Sequence, residues 1–352
     1  MAKASASGRL WVVGAGASAS FGAPTIDLLL DECLKQDTHF RHRELLPKVL
    51  DYLYLSIRKR GNIEEFMSLL DTWIQMNDIR NGPLIPTNSL TQVRTLLLRL
   101  MRQVLNQSLN GLKSTSPFAK WVRMLHPGDT VISYNWDVAI EHCIQEFDKQ
   151  SLSLRYLQEG PRNALTLLKP HGSVNWYEMP PEGYESVAGA SPFRKDWRRC
   201  AYADCKETLK FPSKSYRRRA PIMVPPVNAK VFWSETSNES QRSFEKQRDD
   251  LFKEVWRGAY NALRNAAEVY ILGYSLPHLD WHARWVFRSA LRSNLIRTKT
   301  GRAQHMKLKV RVVNPKQEAI TRFKELLGKD QSLDFDSQAL KLENADLIAI
   351  TR

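Results

Sequence analysis

The sequence predicts an α/β fold: a doubly wound parallel sheet interrupted by an inserted helical block and a second small irregular insertion. Three observations carry that expectation. Short apolar runs recur along the 352-residue chain, and each stops at a Gly, Pro or polar turn, the look of buried parallel strands. Segments with apolar residues three and four apart separate several of them. The first run, "LWVVGAGASASFGAPT" from Leu10 to Thr25, passes directly into small residues, as a strand does when it feeds a tight turn and a helix.

Taken in order, Arg9–Val13 reads as the first strand. From Ile26 to about Leu125 the pattern is helical in "IDLLLDECL", "ELLPKVLDYLYLSI", "NIEEFMSLLDTWI" and "LTQVRTLLLRLMRQVLNQSL", broken by "GPLIP" at 82–86. Strands return in "TVISYNWD", "ALTLLKPHG", "AEVYILGYSLP" and "LKVRVVNP", with an amphipathic helix over Phe244–Ala267. A single domain over 9–352 follows, its core built from 9–25, 126–176 and 244–352. The helical insertion spans 26–125, and an irregular one, rich in Pro, Gly, Arg and Tyr, spans 177–243.

Bulk properties narrow the class. Hydrophobic residues make up 43% of the chain, enough for a core and against global disorder. No apolar run reaches the roughly 18 residues of a membrane span. Leu10–Val13 falls short of the about 7–15 apolar residues of a signal peptide. Four cysteines (Cys33, Cys143, Cys200, Cys205) make no disulfide framework, so a reducing cytoplasm is the expected setting. The net charge of +15 favours polyanions or an acidic partner. It concentrates in 194–219, with ten Lys/Arg, and in 292–311, with seven and no acid. Such runs serve either as solvated faces or as a nucleic-acid footprint.

Five strand ends carry candidate chemistry. Gly14, Gly16 and Ala19 follow a loose Gly-x-Gly-x-x-Ala turn, which can seat a pyrophosphate against backbone N–H groups or simply allow close packing. No acid ends a second strand about 20 residues on, as a nicotinamide dehydrogenase requires. In "SYNWD", Asn135 and Asp137 point into a crevice, or Asp137 caps the next helix. In "KPHGSVNW", His171 is a general base or a turn histidine. "LGYSLPHLD" offers Gly273 and Ser275 to phosphate or ribose, and "VVNP" places Asn314 at the last clear strand end. Together these define the crevice of a nucleotide site.

In this order, "GAGAS…GAPT", "SYNWD", "KPHGSVNW", "GYSLP" and "VVNP" resemble the SIR2 (sirtuin) family, and most closely its bacterial anti-phage defence branch; "NIEEFMSLLD" fits that branch too. The resemblance implies a Rossmann-like domain that takes NAD as substrate. It implies that Gly14, Ala15, Gly16 and Ser18 surround the phosphates, and that Ala23, Pro24 and Thr25 begin a loop over the nicotinamide ribose. Asn135 and Asp137 then orient the nicotinamide end and the attacking group, His171 acts as base on the ribose, and Gly273, Ser275 and Asn314 hold phosphate and adenosine. On this reading NAD pyrophosphate is what the bare backbone at Gly14 and Gly16 accommodates.

Two departures steer the activity. The Asp-Phe-Arg run of protein-deacylating sirtuins is absent after "GAPT", where Ile26-Asp27-Leu28 follows. Only Cys200 and Cys205 lie where a four-cysteine zinc site would be, so no metal is expected. Both favour hydrolysis of NAD to nicotinamide and ADP-ribose, a triggered effector that depletes NAD in abortive infection. The resemblance further implies a homo-oligomer and an activating partner, a HerA-like ATPase or an Argonaute-like protein, with no membrane. The alternatives are a nucleic-acid-binding or nuclease subunit, an NAD-dependent deacylase, and a non-catalytic NAD sensor.

Overall fold

The computed structural model describes residues 9–36, 44–53, 63–77, 85–147, 152–156, 164–177, 221–224, 239–300, 307–328, 330 and 332–345. The basic stretch 194–219, Cys200, Cys205 and nearly all of the irregular insertion lie outside the described residues, as do 301–306 of the second basic stretch.

Leu10–Val13 forms strand β1, and all four of its side chains are buried. It lies at the centre of a seven-stranded sheet. On one side come β2 (Thr130–Ser133), β4 (Leu165–Leu168) and, at the edge, β3 (Leu154–Tyr156). On the other come β7 (Glu268–Leu272), β8 (Leu308–Val313) and β9 (Leu333–Gln338). Every neighbouring pair is parallel. The chain winds outward from β1 through β2 to the edge at β3, steps back into the sheet as β4, returns beside β1 as β7, and winds outward again. That is the doubly wound Rossmann-like order, with its reversal between β1 and β7, where a ligand crevice opens beyond the carboxyl ends of the strands. The apolar strand residues explain the burial: Trp11, Val12, Val131, Ile132, Leu167, Val269 and Ile271 are all fully inaccessible. Trp11 stacks on Tyr270 at 4.5 Å and meets Trp121 edge-on at 5.9 Å.

Between β1 and β2 the chain makes α1 (Ala15–Ser18), α2 (Ile26–Lys35), α3 (Leu45–Leu53), α4 (Ile63–Met76), α5 (Thr87–Ser108) and α6 (Pro117–Val122). Helices α2 to α5 have their own hydrophobic cluster, including Leu29, Val49, Phe66, Leu70, Leu97 and Met101. Helix α6 departs from the sequence-based boundary at 125. Phe118, Trp121 and Val122 pack in the sheet's core with Leu125, so α6 belongs with the sheet and the helical block proper ends before it. Its "PFAKWV" is too short for periodicity to reveal which face it covers.

Helix α7 (Ala139–Phe147) follows β2; α8 (Glu239–Asn265) precedes β7, α9 (Trp281–Thr300) precedes β8, and α10 (Gln317–Leu327) precedes β9. After β4 the chain turns at Gly172 into β5 (Gly172–Tyr177), which pairs antiparallel with β6 (Pro221–Met223). Val174 of β5 and Met223 of β6 join the helical block's cluster, together with Trp136 and Val138. This hairpin is therefore the bridge between block and sheet. No helix among the described residues is long and apolar enough to cross a membrane.

Candidate functional site

A cavity of about 590 Å³ opens beyond the carboxyl ends of β1, β2, β7 and β8, within the usual range for small-molecule sites. Of the thirteen site residues expected from the sequence, twelve line it: Gly14, Ala15, Gly16, Ser18, Pro24, Thr25, Asn135, Asp137, His171, Gly273, Ser275 and Asn314. Ala23 does not; it is 5% exposed and packs in the sheet's core.

Of the two causes the sequence offered for the glycine turn, close packing is visible directly. A methyl group on Gly14 would sit 2.4 Å from Tyr274 Cα, and one on Gly16 would sit 2.8 Å from Gly273 O. Gly14 N–H donates to Leu272 O and Gly16 N–H to Gly273 O, both at 3.0 Å. The turn after β7, which crosses this backbone at van der Waals distance, is by itself enough to require glycine at both positions. Gly273 reciprocates with φ of +62° and would place a Cβ 2.2 Å from Ala17 N. Helix α1 has only four residues and runs into a 3-10 turn at Ala19–Phe21. It offers less of a dipole than the long helix of a dinucleotide-binding turn, and the Gly16 N–H is already taken.

A hydrogen-bonded chain joins the first turn to the second. Ser18 Oγ donates to Asp137 Oδ2 at 2.8 Å and accepts from Asn135 Nδ2 at 2.9 Å. Because the hydroxyl proton goes to the carboxylate, the asparagine must present its NH2 to Ser18, which fixes its amide orientation. Asn135 Oδ1 is then left buried with no hydrogen-bond partner among the described residues. Asp137 also accepts from Ala139 N at 3.0 Å. It is both crevice residue and cap of α7, so the two sequence readings hold together. Burial raises its pKa above the ordinary value, opposed mainly by the nearby Lys169 ammonium.

His171 is 3% exposed. Its Nε2 lies 2.9 Å from Asp280 Oδ2, whose carboxylate also receives Tyr274 Oη at 3.1 Å and caps α9 through Ala283 N at 3.2 Å. The histidine's carbonyl is held by Trp136 Nε1 at 3.0 Å and Val224 N at 2.8 Å. The bridging hairpin and the α9 cap thus set its place from two directions. Tyr134 and Tyr274 stack at 4.2 Å with 5° between ring planes, and Tyr134 meets the imidazole edge-on at 5.1 Å. Burial, then the Asp280 charge, pushes both phenols well above their ordinary pKa, so both keep their protons. Tyr134 Oη, like Asn135 Oδ1, is buried without a partner among the described residues.

Asn314 lines the cavity with its amide engaged at both ends: Nδ2 donates to Tyr274 O at 3.0 Å and Oδ1 accepts from Lys316 N at 2.9 Å. It fastens the two strand-end turns together. Beside it Lys316, Arg322 and Lys341 line the cavity, as do Asp27, Glu64 and Glu343. Arg322 Nε donates to Ser275 O at 2.8 Å.

Sequence reasoning missed Asp280, Tyr134, Tyr274, Glu64 and the three cations. Asp280 had a readable local signal, an acid one residue before a helix. Its partnership with His171 spans more than a hundred residues and has none. Among the described residues no group of three or more His, Cys, Asp or Glu could hold a metal.

Fold and site define a doubly wound α/β protein with a pocket at its topological switch point, lined by buried polar groups among apolar surface. No family model and no curated protein matches the chain. Among solved structures it is similar to that of Sir2Tm bound to a propionylated peptide, with 14% identity, 95% of this chain and 88% of that chain covered, and a TM-score of 0.31. A likeness that loose transfers no residue roles; the fold class rests on the parallel sheet itself.

Proposed function

We propose that the pocket binds NAD and cleaves its N-glycosidic bond, releasing nicotinamide and ADP-ribose. The observation that carries this is the pair of buried atoms lining one cavity without partners among the described residues: Asn135 Oδ1, an acceptor, and Tyr134 Oη, a donor. Buried polar atoms left open in a pocket ask for a ligand or water. The nicotinamide carboxamide offers an N–H donor and a carbonyl acceptor to that pair. His171 lies against the same tyrosine, within the same lining, where a base for a ribose hydroxyl or an attacking water belongs.

In the reaction the C1′–N bond breaks with its electron pair going to the pyridinium nitrogen, so nicotinamide leaves neutral. Water bonds to C1′ of an oxocarbenium-like centre and gives up one proton, which His171 accepts. Asp280 fixes the imidazole's orientation. Asp137 has each carboxylate oxygen engaged and serves as a positioning residue for Ser18 and Asn135. Lys316, Arg322 and Lys341 supply positive charge for the diphosphate.

The finer reading keeps the resemblance's expectations: a defence effector that is silent until an assembly state or a partner protein triggers it. The test is nicotinamide release from NAD by the purified protein, alone and with co-expressed neighbours. His171→Ala should lower release at least about a hundredfold, in line with the loss of a general base. Asn135→Ala should weaken NAD binding as well as turnover. Undiminished release in both variants would overturn the assignment, and full-rate release by protein alone at every concentration would overturn the gating.

A further inference from the structure

We propose that the solvent face of α9 is a binding surface for single-stranded nucleic acid. Trp281 and Trp285 are 57% and 64% exposed, an unusual fate for the largest apolar side chain. They are four residues apart, so they share one helix face. The exposed residues continue along that face as Arg288, Arg292 and Ile296. From 281 to 296 the stripe spans about 22 Å at ~1.5 Å per residue. Tyr260 of α8 extends it sideways, its ring near-parallel to Trp285 at 6.1 Å, with the exposed Arg264 on the same helix. The Arg284 guanidinium lies over the Trp281 ring at 5.6 Å.

Charge decides which partner this face fits. Helix α9 reads "WHARWVFRSALRSNLIRTKT", with four arginines, one lysine and no acid. A protein partner matched to exposed tryptophans alone needs no such excess of cations. A polyanion with unstacked bases uses both, because flat rings stack on the indoles while arginines take the phosphates. A duplex keeps its bases stacked inside and leaves the tryptophans unused. The face lies on the outside of the sheet's helical layer and is independent of the reading of the cavity.

The test is fluorescence anisotropy of a labelled oligothymidylate of about 12 nucleotides with the full chain, beside a duplex of equal length. Single strand is expected to bind more tightly than duplex, with affinity falling steeply as salt rises. Trp285→Ala should lower affinity about tenfold or more, Trp285→Phe should restore most of it, and nicotinamide release should not change. Arg288→Gln with Arg292→Gln should make the log–log salt slope shallower by about 1.4, at roughly 0.7 for each phosphate that the arginines no longer neutralise. Equal affinity of wild type and Trp285→Ala would place the nucleic acid elsewhere and overturn the proposal. So would absence of binding, or a change of oligomeric state in Trp285→Ala with nucleic-acid affinity intact; the last would make the face a contact between copies of the chain.

Discussion

Asp137 holds three structural duties at one buried carboxylate: it caps α7, accepts from Ser18 and so sets Asn135. Holding a charge there is costly, and its raised pKa records that cost. Linkage gives the sign. The folded state binds this proton more tightly than the unfolded chain, so the group's contribution to stability is greatest below the unfolded value, near 3.8. It declines as pH rises, and levels off above the raised folded value. Asp137→Asn has no proton to lose and can keep the cap. Urea unfolding from pH 4 to 7 should therefore show the variant gaining on the wild type as pH rises. Parallel curves would mean the carboxylate is not destabilised by burial. At this scale the sequence placed the right residue at the right strand end. It could not show that the neighbouring glycines are bare because of Gly273 and Tyr274, since that contact joins segments more than 250 positions apart.

The elements are tied together beneath the site by a second buried network. Lys169, 1% exposed, lies just after β4. Its Nζ donates to Asp137 O, to Ser173 Oγ at 2.6 Å and to Glu141 Oε1 of α7 at 3.3 Å. Tyr156 of β3 donates to the same Glu141 oxygen at 2.7 Å and receives Asn175 Nδ2 of β5 at 3.3 Å. Lys169→Met would leave the Glu141 charge buried without its cation, which should cost about 3–5 kcal/mol. Lys169→Met with Glu141→Gln should recover much of that, because a neutral amide replaces the stranded charge. Chemical denaturation of both variants checks this, and equal losses in each would remove Glu141 from the account. Strands β1, β2, β4, β7 and β8 were legible because they are short, apolar and stopped by turns. The sequence did not reveal β9, "LDFDSQ", because an edge strand with half-exposed residues alternates weakly. Nor did it reveal β5, which carries Ser173 and Asn175 just beyond the Pro170–Gly172 turn where the preceding strand was expected to stop.

At the scale of the whole molecule the cavity is walled by two hydrophobic clusters, with Leu29, Glu64 and Leu105 entering from the helical block. The block is held through apolar contacts at Trp136, Val138, Val174 and Met223. One ion pair also spans from α2 to the turn after β8: Lys316 Nζ lies 3.0 Å from Asp27 Oδ2, and both residues line the cavity. The two side chains are 62% and 57% exposed, so the pair contributes no more than about 1 kcal/mol to stability. Its consequence belongs to the ligand. Asp27 competes with an incoming diphosphate for the Lys316 ammonium. On the NAD reading, Asp27→Asn should tighten binding severalfold and Lys316→Gln should weaken it, with the unfolding midpoint nearly unchanged in each. Both effects should shrink as salt screens the charges. Isothermal titration of NAD in a His171→Ala background separates binding from turnover. Shifts of opposite sign establish competition for the lysine. Shifts of the same sign would make the pair a mechanical latch between block and sheet, and no shift would place the diphosphate away from this turn.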